Sequence, residues 1–375
     1  MGLDFLFLMK AEWMIIAIIF LLLFIQLGSR SLNQEKLLNI VNFLLLINLG
    51  AGFFFIPEGR LFGDMFQTNE LITLQKNFLN LGLLIVSLQS WHWLKEQKNL
   101  VEFYVLLLST ILGMFLMISS NNLLMFYLGL ELSAIPLAAL SNFDLKKKRS
   151  SEAAFKFIIS SAFSSGLLLF GISLLYGATG TLNFGQLATV ITETPLSILG
   201  FILLLAGFGF KISAVPFHLW TADVYEGSPV AVTSYLSVVS KGAVLFVMVT
   251  VLYNVFAPLA EAWYYMIFIL AVATMVIGNL FALRQQNMKR FLAFSSIAQV
   301  GFILVGISAG NSQGAASVIY FILVYIFSNL GAFAVIGVVS AISCSTSPSR
   351  LPTTDARPLI TICGVKGPRS PRAGS

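Results

Sequence analysis

The sequence predicts an all-α polytopic membrane protein with about eleven transmembrane helices. The chain of 375 residues is 58% hydrophobic and only 10% charged, whereas a soluble domain carries roughly 25% charged residues. Its apolar runs are hydrophobic all round rather than along one face, as helices embedded in lipid require. The first run has neither a basic stretch before it nor a small-residue cleavage site, so we interpret it as a span and not as a removable signal.

The spans follow from length, since about 20 apolar residues are needed to cross the hydrocarbon core of a bilayer. The seventh span is predicted to be discontinuous, because Pro216 interrupts it and a proline removes a backbone hydrogen bond from a helix. The predicted spans are 12–29, 36–56, 74–94, 100–119, 121–143, 150–176, 195–221, 228–252, 261–283, 289–309 and 313–342.

The distribution of basic residues predicts the orientation of the chain. Outside the C-terminal tail, most lysines and arginines lie in loops that follow odd-numbered spans, whereas Lys10, Arg60 and Lys76 are assigned to the opposite side. Basic loops favour the cytoplasm, so the N-terminus is predicted to face out. The net charge of +6 follows from this topology and from the tail, and it does not indicate nucleic-acid binding.

The composition argues against a metal or cofactor site in the membrane part. Both cysteines, Cys344 and Cys363, are assigned to the tail beyond the last span, and the only histidines are His92 and His218. Thiolate, iron–sulfur, zinc and haem ligation are therefore not expected. No residue is predicted to bind a cofactor or a metal, and any redox centre is expected on other chains.

Four ionisable residues lie inside spans five to eight, and we predict that they form a proton path. They are Glu131, Lys156, Lys211 and Lys241. An ionisable residue in hydrocarbon is costly unless it is paired or hydrated, so its default interpretation is functional. Burial and pairing act in opposite directions on proton affinity, so a lysine that changes partner can take up or release a proton. The alternative for each lysine is a fixed salt bridge, and it is strongest for Lys156 near the end of its span.

Other polar residues near the break are secondary candidates. His218 could pass a proton between lysines, or it could be a hydrogen-bonded histidine at a helix end. Pro216 marks the break, and Asp223 and Glu226 are interpreted as exposed loop acids. Four serines of the sixth span could line a water path, but we favour close helix packing. These are Ser160, Ser161, Ser164 and Ser165.

Several stretches closely resemble the antiporter-like subunits of respiratory complex I. These are NNLLMFYLGLELSAIPLAALSNF, SSEAAFKFIISSAFSSGLLLFGISLLYGATGTLNF and GFGFKISAVPFHLWTADVYEGSPVAVTSYLSVVSKGA. Within that family they are most similar to the subunit N group of bacterial NADH:quinone oxidoreductases, and NLFALRQQNMKRFLAFSSIAQVGFILVG fits the same group. The resemblance covers most of residues 100–342, whereas residues 1–99 match in pattern more than in motif.

The resemblance implies a proton-translocating membrane-arm subunit in the inner (plasma) membrane of a bacterium. Its partners would be the lipid bilayer and other membrane-arm subunits of complex I. NADH, flavin, iron–sulfur clusters and quinone would act on those other subunits and not on this chain. By the family pattern, Glu131 pairs with Lys211, Lys241 continues the path, and Lys156 is an additional member.

The resemblance also implies a division of the chain into inverted five-helix repeats, each with a broken helix. Residues 1–99 would hold N-terminal helices, 100–252 the first repeat and 253–342 an incomplete second repeat. Residues 343–375 are rich in proline and basic residues and depart from the family, so we predict a disordered, non-homologous tail. We hypothesise a truncated or frameshifted gene near Ile342, and with it an incomplete proton path.

Two other functions stay open. A subunit of a multi-subunit cation/proton antiporter shares the broken helix and its lysine, although the residues of the quoted motifs favour complex I. A non-transporting membrane scaffold is the alternative of a different class. Three lysines inside spans argue against a scaffold, because holding other subunits together does not require charge in lipid.

Overall fold

The apolar runs fold into helices. A computed structural model describes residues 2–28, 33–54 and 56–345 of the chain. Between Val230 and Val255 the α-helical path contains two π-helical stretches, Leu236–Ser240 and Val251–Val255, and a 3-10 turn follows at Ala257–Leu259. The α-helices are α1 Gly2–Leu8, α2 Lys10–Gly28, α3 Gln34–Ala51, α4 Glu70–Gln89, α5 Trp91–Lys95, α6 Leu100–Ile118, α7 Leu123–Ser141, α8 Lys148–Thr179, α9 Phe184–Val190, α10 Pro195–Ile212, α11 Leu219–Gly227, α12 Val230–Tyr235, α13 Lys241–Thr250, α14 Ala260–Leu283, α15 Met288–Ser308 and α16 Ser312–Ser345.

The multi-pass membrane fold is confirmed. In the part of the chain that the structure describes, ten helical stretches are long and apolar enough to cross a membrane. The second predicted span, 36–56, corresponds to the 18-residue helix α3, which is not among these ten stretches and contains Asn39, Asn42 and Asn48 besides its polar first turn. Asn48 points inward and donates to Asn80 of α4 at 2.9 Å, so this polar residue of α3 serves a contact inside the bundle.

The seventh predicted span is discontinuous, as predicted from Pro216. Helix α10 ends at Ile212 and α11 begins at Leu219. Ser213 caps α10 in the left-handed region, with φ 64°. The intervening residues are therefore open backbone inside the bundle, where the polar groups of a membrane protein need internal partners.

A short β-hairpin lies between α3 and α4, which the sequence did not predict. Strand β1, Gly59–Leu61, pairs antiparallel with β2, Phe66–Thr68. The hairpin docks on the end of α6, because the Gln67 amide donates to the Ser119 carbonyl at 2.8 Å. Phe66 is fully buried. The hairpin thus packs against the C-terminal end of α6.

Close helix contacts hold the bundle together at small residues. A Cβ added at Gly113 of α6 would lie 2.5 Å from the backbone nitrogen of Ser133 on α7, so only glycine permits this approach. The stretch Val230–Val255 is buried along most of its length and lies at the centre of the bundle. Lys241, the charged residue of this stretch, is therefore enclosed by protein.

The C-terminal boundary differs slightly from the prediction. Helix α16 continues to Ser345, so Cys344 belongs to this helix and not to the tail beyond it. Residues 346–375, with Cys363, lie outside the described residues. The predicted disorder of the tail and the hypothesis of a shifted reading frame stay predictions.

Candidate functional site

The break in the seventh span positions Lys211, which lies in the last turn of α10. The break itself, residues 213–218, includes a cis peptide bond between Val215 and Pro216. The Val215 amide donates to the Thr274 hydroxyl of α14 at 3.0 Å. A side chain of a neighbouring helix thus satisfies backbone that the break leaves open, as the membrane interior requires.

Lys211 and Glu131 each contact a serine of α8. The Lys211 ammonium donates to the Ser161 hydroxyl at 2.7 Å, and the Ser165 hydroxyl donates to the Glu131 carboxylate. The serines are four residues apart, so they lie on one face of the helix a single turn apart. Among the described residues, Glu131 and Lys211 form no direct salt bridge. Two hydroxyls one helical turn apart therefore lie between the two charges, and we name them the hydroxyl bridge; among the described residues no hydrogen bond joins one hydroxyl to the other.

This arrangement changes the interpretation of the serines. Packing was favoured for all four, but Ser161 and Ser165 are buried and bond to the two ionisable groups. Ser164 instead faces the Gly207 carbonyl at 3.5 Å, in keeping with helix packing. Hydroxyls both donate and accept hydrogen bonds, so a pair of them can pass a proton between a carboxylate and an amine.

Lys241 is the most deeply buried of the predicted lysines, with 1% of its surface exposed. It follows directly on the π-helical stretch Leu236–Ser240, a distortion that is common at functional sites. Its ammonium donates to the Ser296 hydroxyl of α15 at 2.9 Å and lies 5.4 Å from the ring centre of Tyr225. In the described residues no carboxylate forms an ion pair with it. Lys241 is thus held by a hydroxyl and an aromatic face.

Lys156 lies in a different environment from the other lysines. Its ammonium is 2.8 Å from the Glu152 carboxylate and 2.6 Å from that of Asp223, and its side chain is 40% exposed. Arg290 of α15 is 2.7 Å from the second oxygen of Asp223 and 3.0 Å from Glu226. These five residues form what we name the ion-pair cluster. Its geometry is that of the fixed salt bridge considered as the alternative for Lys156.

Asp223 and Glu226 are therefore not the exposed loop acids that the sequence suggested. Asp223 is partly buried on α11 between two cations. Burial alone would raise the pKa of its carboxyl, but hydrogen bonds from Lys156 and Arg290 outweigh burial and hold the pKa below its ordinary value. Asp223 is thus ionised at neutral pH and fixes the start of α11 to α8 and α15.

His218 lies beside an open cavity at the break. Only 5% of the residue is exposed, and its ring lies 6.3 Å from that of Phe281. The cavity, of about 510 Å³, separates α11 from α14 and α15, and its polar walls include Asp223, Arg284 and Arg290. Water in such a cavity would reach His218 at the end of the break, as well as Asp223 and Arg290 of the ion-pair cluster.

Two buried charges escaped the sequence analysis. Lys76 was assigned to the side opposite the basic loops, but it lies buried within α4, with 3% of its side chain exposed. Its ammonium is 2.6 Å from the carboxylate of Glu12 on α2, which is 1% exposed. Glu131 is therefore not the only acid inside a span. Both residues lie within two turns of a helix start, where charge normally faces water, so the pattern gave no signal of their burial.

The serine whose hydroxyl accepts from Lys241 was also not predicted. Ser296 lies in the stretch FLAFSSIAQVGF and bonds to Lys241. Serine is frequent in membrane helices as a small packing residue. Only the fold, which brings Lys241 to Ser296, distinguishes this serine from its neighbours, so the residue type alone could not have identified it.

Comparisons with known proteins agree with this architecture. The family model described as NADH:quinone oxidoreductase/Mrp antiporter, TM, matches residues 120–351. A curated relative, NADH-quinone oxidoreductase subunit N of Azobacteroides pseudotrichonymphae, is 49% identical over 303 residues, which are 80% of this chain and 63% of that protein. The chain thus spans less than two thirds of the length of this relative.

Solved structures show the same fold. Respiratory complex I from Thermus thermophilus with bound aureothin contains a chain with 29% identity and a TM-score of 0.74, and the match covers 87% of this chain and 70% of that one. The Mrp complex from Dietzia sp. DQ12-45-1b contains a chain with 20% identity and a TM-score of 0.78, covering 91% and 65% respectively. With the broken helix and its lysine in place, the chain belongs to the NADH:quinone oxidoreductase/Mrp antiporter family of membrane proteins.

Proposed function

We propose that this chain is a proton-translocating membrane-arm subunit of a bacterial NADH:quinone oxidoreductase. The observation that carries the proposal is that Ser161 and Ser165, one turn apart on α8, contact Lys211 and Glu131 respectively at the broken helix. A pair of opposite charges linked by hydroxyls can exchange a proton, whereas a structural bundle needs neither the charges nor the break.

The proposed path has an access side and a central part. Protons reach the break through the cavity beside His218 and are taken up by Lys211. Displacement of the Lys211 ammonium toward or away from Glu131 changes how well the carboxylate stabilises it, and therefore whether it keeps its proton. The next carrier is Lys241, which lies beyond the break on α13 and contacts Ser296.

The redox chemistry belongs to other subunits in this proposal. NADH, flavin, iron–sulfur clusters and quinone act there, and their energy reaches this chain by conformational and electrostatic coupling. The chain would lie in the bacterial inner membrane with its N-terminus outside, in contact with other membrane-arm subunits of the complex. The role of Lys156 in this scheme is secondary, because Asp223 and Glu152 already compensate its charge.

The test is proton pumping in inside-out vesicles from cells whose only copy is this chain, with assembly followed on a native gel. Lys211→Met removes the charge and keeps most of the volume, so we expect assembled complex that no longer acidifies the vesicle lumen through this subunit. Lys146→Met changes an exposed loop lysine and should pump like the parent. Unchanged pumping in the Lys211→Met variant would favour a scaffold.

A cation/proton antiporter is the second candidate, and the fold shared with the Mrp chain favours it. The two functions differ in what drives proton movement. Movement driven by NADH in the absence of added sodium supports the complex I assignment. Movement that needs a sodium or potassium gradient and ignores NADH supports the antiporter.

A further inference from the structure

The N-terminal helices contain a buried ion pair that the proposed path does not use. Lys76 of α4 and Glu12 of α2 are 2.6 Å apart, and their side chains are 3% and 1% exposed. The partners are separated by 64 positions in sequence. The pair thus joins two helices far from the break in the seventh span.

Stability alone gives no reason for this pair. Removing two charges from water is expensive, and their attraction offsets that loss only partly, so an apolar pair of similar volume is often as stable or more so. Inside a membrane span the same argument makes ionisable residues functional by default. Glu12 and Lys76 both lie in helices that are long and apolar enough to cross a membrane.

The surroundings of the pair are polar on one side and aromatic on the other. The Lys76 ammonium lies 5.3 Å from the ring centre of Phe66 and 5.8 Å from that of Phe115. On the polar side, Asn48 and Asn80 form a buried hydrogen bond of 2.9 Å. The pair therefore borders a polar seam between α3 and α4, whereas the β-hairpin and α6 close it on the aromatic side.

A small cavity connects this seam with the loop after α3. Its volume of about 20 Å³ suits a single water molecule. Its lining includes Lys76, Asn80 and Lys10, together with Gly52 and Pro57 of the loop. Lys10 is the other charged residue on the cavity wall, and it contacts carbonyl oxygens of the same loop. Water can thus approach Lys76, the partner of Glu12, from the end of the bundle, whereas Glu12 is not part of the cavity lining.

The carboxylate retains one oxygen for a further proton. Glu12 Oε1 accepts the Lys76 hydrogen bond, whereas Glu12 Oε2 is buried and has no hydrogen-bond partner among the described residues. We propose that the Glu12–Lys76 pair is a second proton-binding site of this subunit, serving exchange with the side of the membrane that the β-hairpin faces. This inference rests on the proposed function, because it supplies a site for protons that the chain moves.

The exchange is balanced in protons and charge. One proton from water binds Glu12 Oε2 and gives a neutral carboxylic acid beside the Lys76 ammonium, so the net charge of the pair rises from zero to +1. Return of that proton to water in the cavity restores the ion pair. No oxidant, metal or further reactant takes part.

The decisive variant is the double substitution Glu12→Gln with Lys76→Met in the full chain of the assembled complex. It leaves no unpaired charge, so we expect assembly on a native gel to match the parent. NADH-driven pumping in vesicles should fall as far as it does in the Lys211→Met variant. Normal pumping by the assembled double variant would overturn the inference and make the pair purely structural.

A single substitution gives a readout that does not depend on pumping. Glu12→Gln keeps the volume and an oxygen for the Lys76 hydrogen bond but cannot bind a proton. Infrared difference spectra between the resting and the NADH-energised complex should contain a protonated-carboxyl band that this variant lacks. The same band in the variant would refute proton binding at Glu12, even if the double variant did not assemble.

Two controls separate this inference from the proposed function. Glu35→Gln with Lys95→Met removes an exposed ion pair between α3 and α5 and should change neither pumping nor the infrared band. Lys211→Met tests the proposed function itself. If Lys211→Met pumps normally, the proposed function fails, whereas loss in Lys211→Met beside normal pumping in the double variant refutes only the Glu12–Lys76 site.

Discussion

The lysines of the proposed path and the lysine of the ion-pair cluster are held in different ways. Lys211 and Lys241 each donate to a serine hydroxyl, at 2.7 and 2.9 Å. Lys156 instead contacts two carboxylates, at 2.8 and 2.6 Å. A carboxylate fixes the charge of an ammonium, whereas a hydroxyl accepts its hydrogen bond and can also relay its proton. In the proposed function, the contact partner rather than the lysine itself thus separates a mobile proton from a fixed charge.

The largest expected effects come from replacing the two lysines that donate to a serine, and the two variants should differ in stability. Lys241→Met leaves no carboxylate behind, so we expect normal assembly and loss of pumping. Lys211→Met also abolishes pumping, but it leaves Glu131 without its cation. The cost to stability should stay below the about 3–5 kcal/mol that a fully buried pair loses, because Glu131 is only partly buried.

Adding Glu131→Gln to Lys211→Met sharpens this contrast. The double variant contains no unpaired charge, so its thermal stability in detergent should return toward that of the parent while pumping stays absent. A double variant less stable than Lys211→Met alone would contradict the hydroxyl-bridged pairing of Glu131 with Lys211.

Replacing either serine of the hydroxyl bridge, Ser161 or Ser165, should have an intermediate effect on pumping. Ser161→Ala removes a hydrogen bond to a charged group, which is worth about 1.5–3 kcal/mol, so transfer through the bridge should slow by about tenfold or more. Ser165→Ala should act similarly through Glu131. Initial rates of vesicle acidification measure the change. Ser164→Ala is the matched control, because that hydroxyl faces the Gly207 carbonyl, and an equal loss there would mean that packing alone explains the serines.

The ion-pair cluster should respond least. The side chains of Lys156 and Asp223 are 40% and 35% exposed, and ion pairs this accessible contribute about 0.2–1 kcal/mol. Lys156→Met should therefore lower stability slightly and leave pumping near the parental rate. A loss of pumping as large as that of Lys241→Met would return Lys156 to the proton path.

The pH dependence of the cluster gives a further test. The pKa of Asp223 is held below its ordinary value by Lys156 and Arg290, against the effect of burial. Its stabilising contribution is therefore present above the pKa of an unfolded aspartate and is lost as the pH falls through the lower pKa of the folded state. Unfolding midpoints measured over an acid series should differ between parent and Asp223→Asn at neutral pH and converge at low pH. A difference that grows on acidification would contradict this assignment.

The sequence by itself determined the class of protein and the charges that lie in the middle of a span. Apolar runs of spanning length establish the helices, because backbone in lipid must satisfy its own hydrogen bonds. Pro216 marked the discontinuous helix, and the burial of Lys241 followed from its position in the middle of a span. These properties are local, so a single stretch of residues contains enough information to predict them.

The tertiary structure decided which residue meets which. Glu12 and Lys76 approach from helices far apart in the chain, and each lies near a helix start where charge is ordinarily exposed. Lys156 and Lys211 are both lysines inside spans, yet one contacts Asp223 and the other Ser161. Hydropathy measures what it costs to bury a side chain but contains no information on its partner. The partner depends on how helices separated in sequence pack together, and that partner determines whether the proton on a lysine can move.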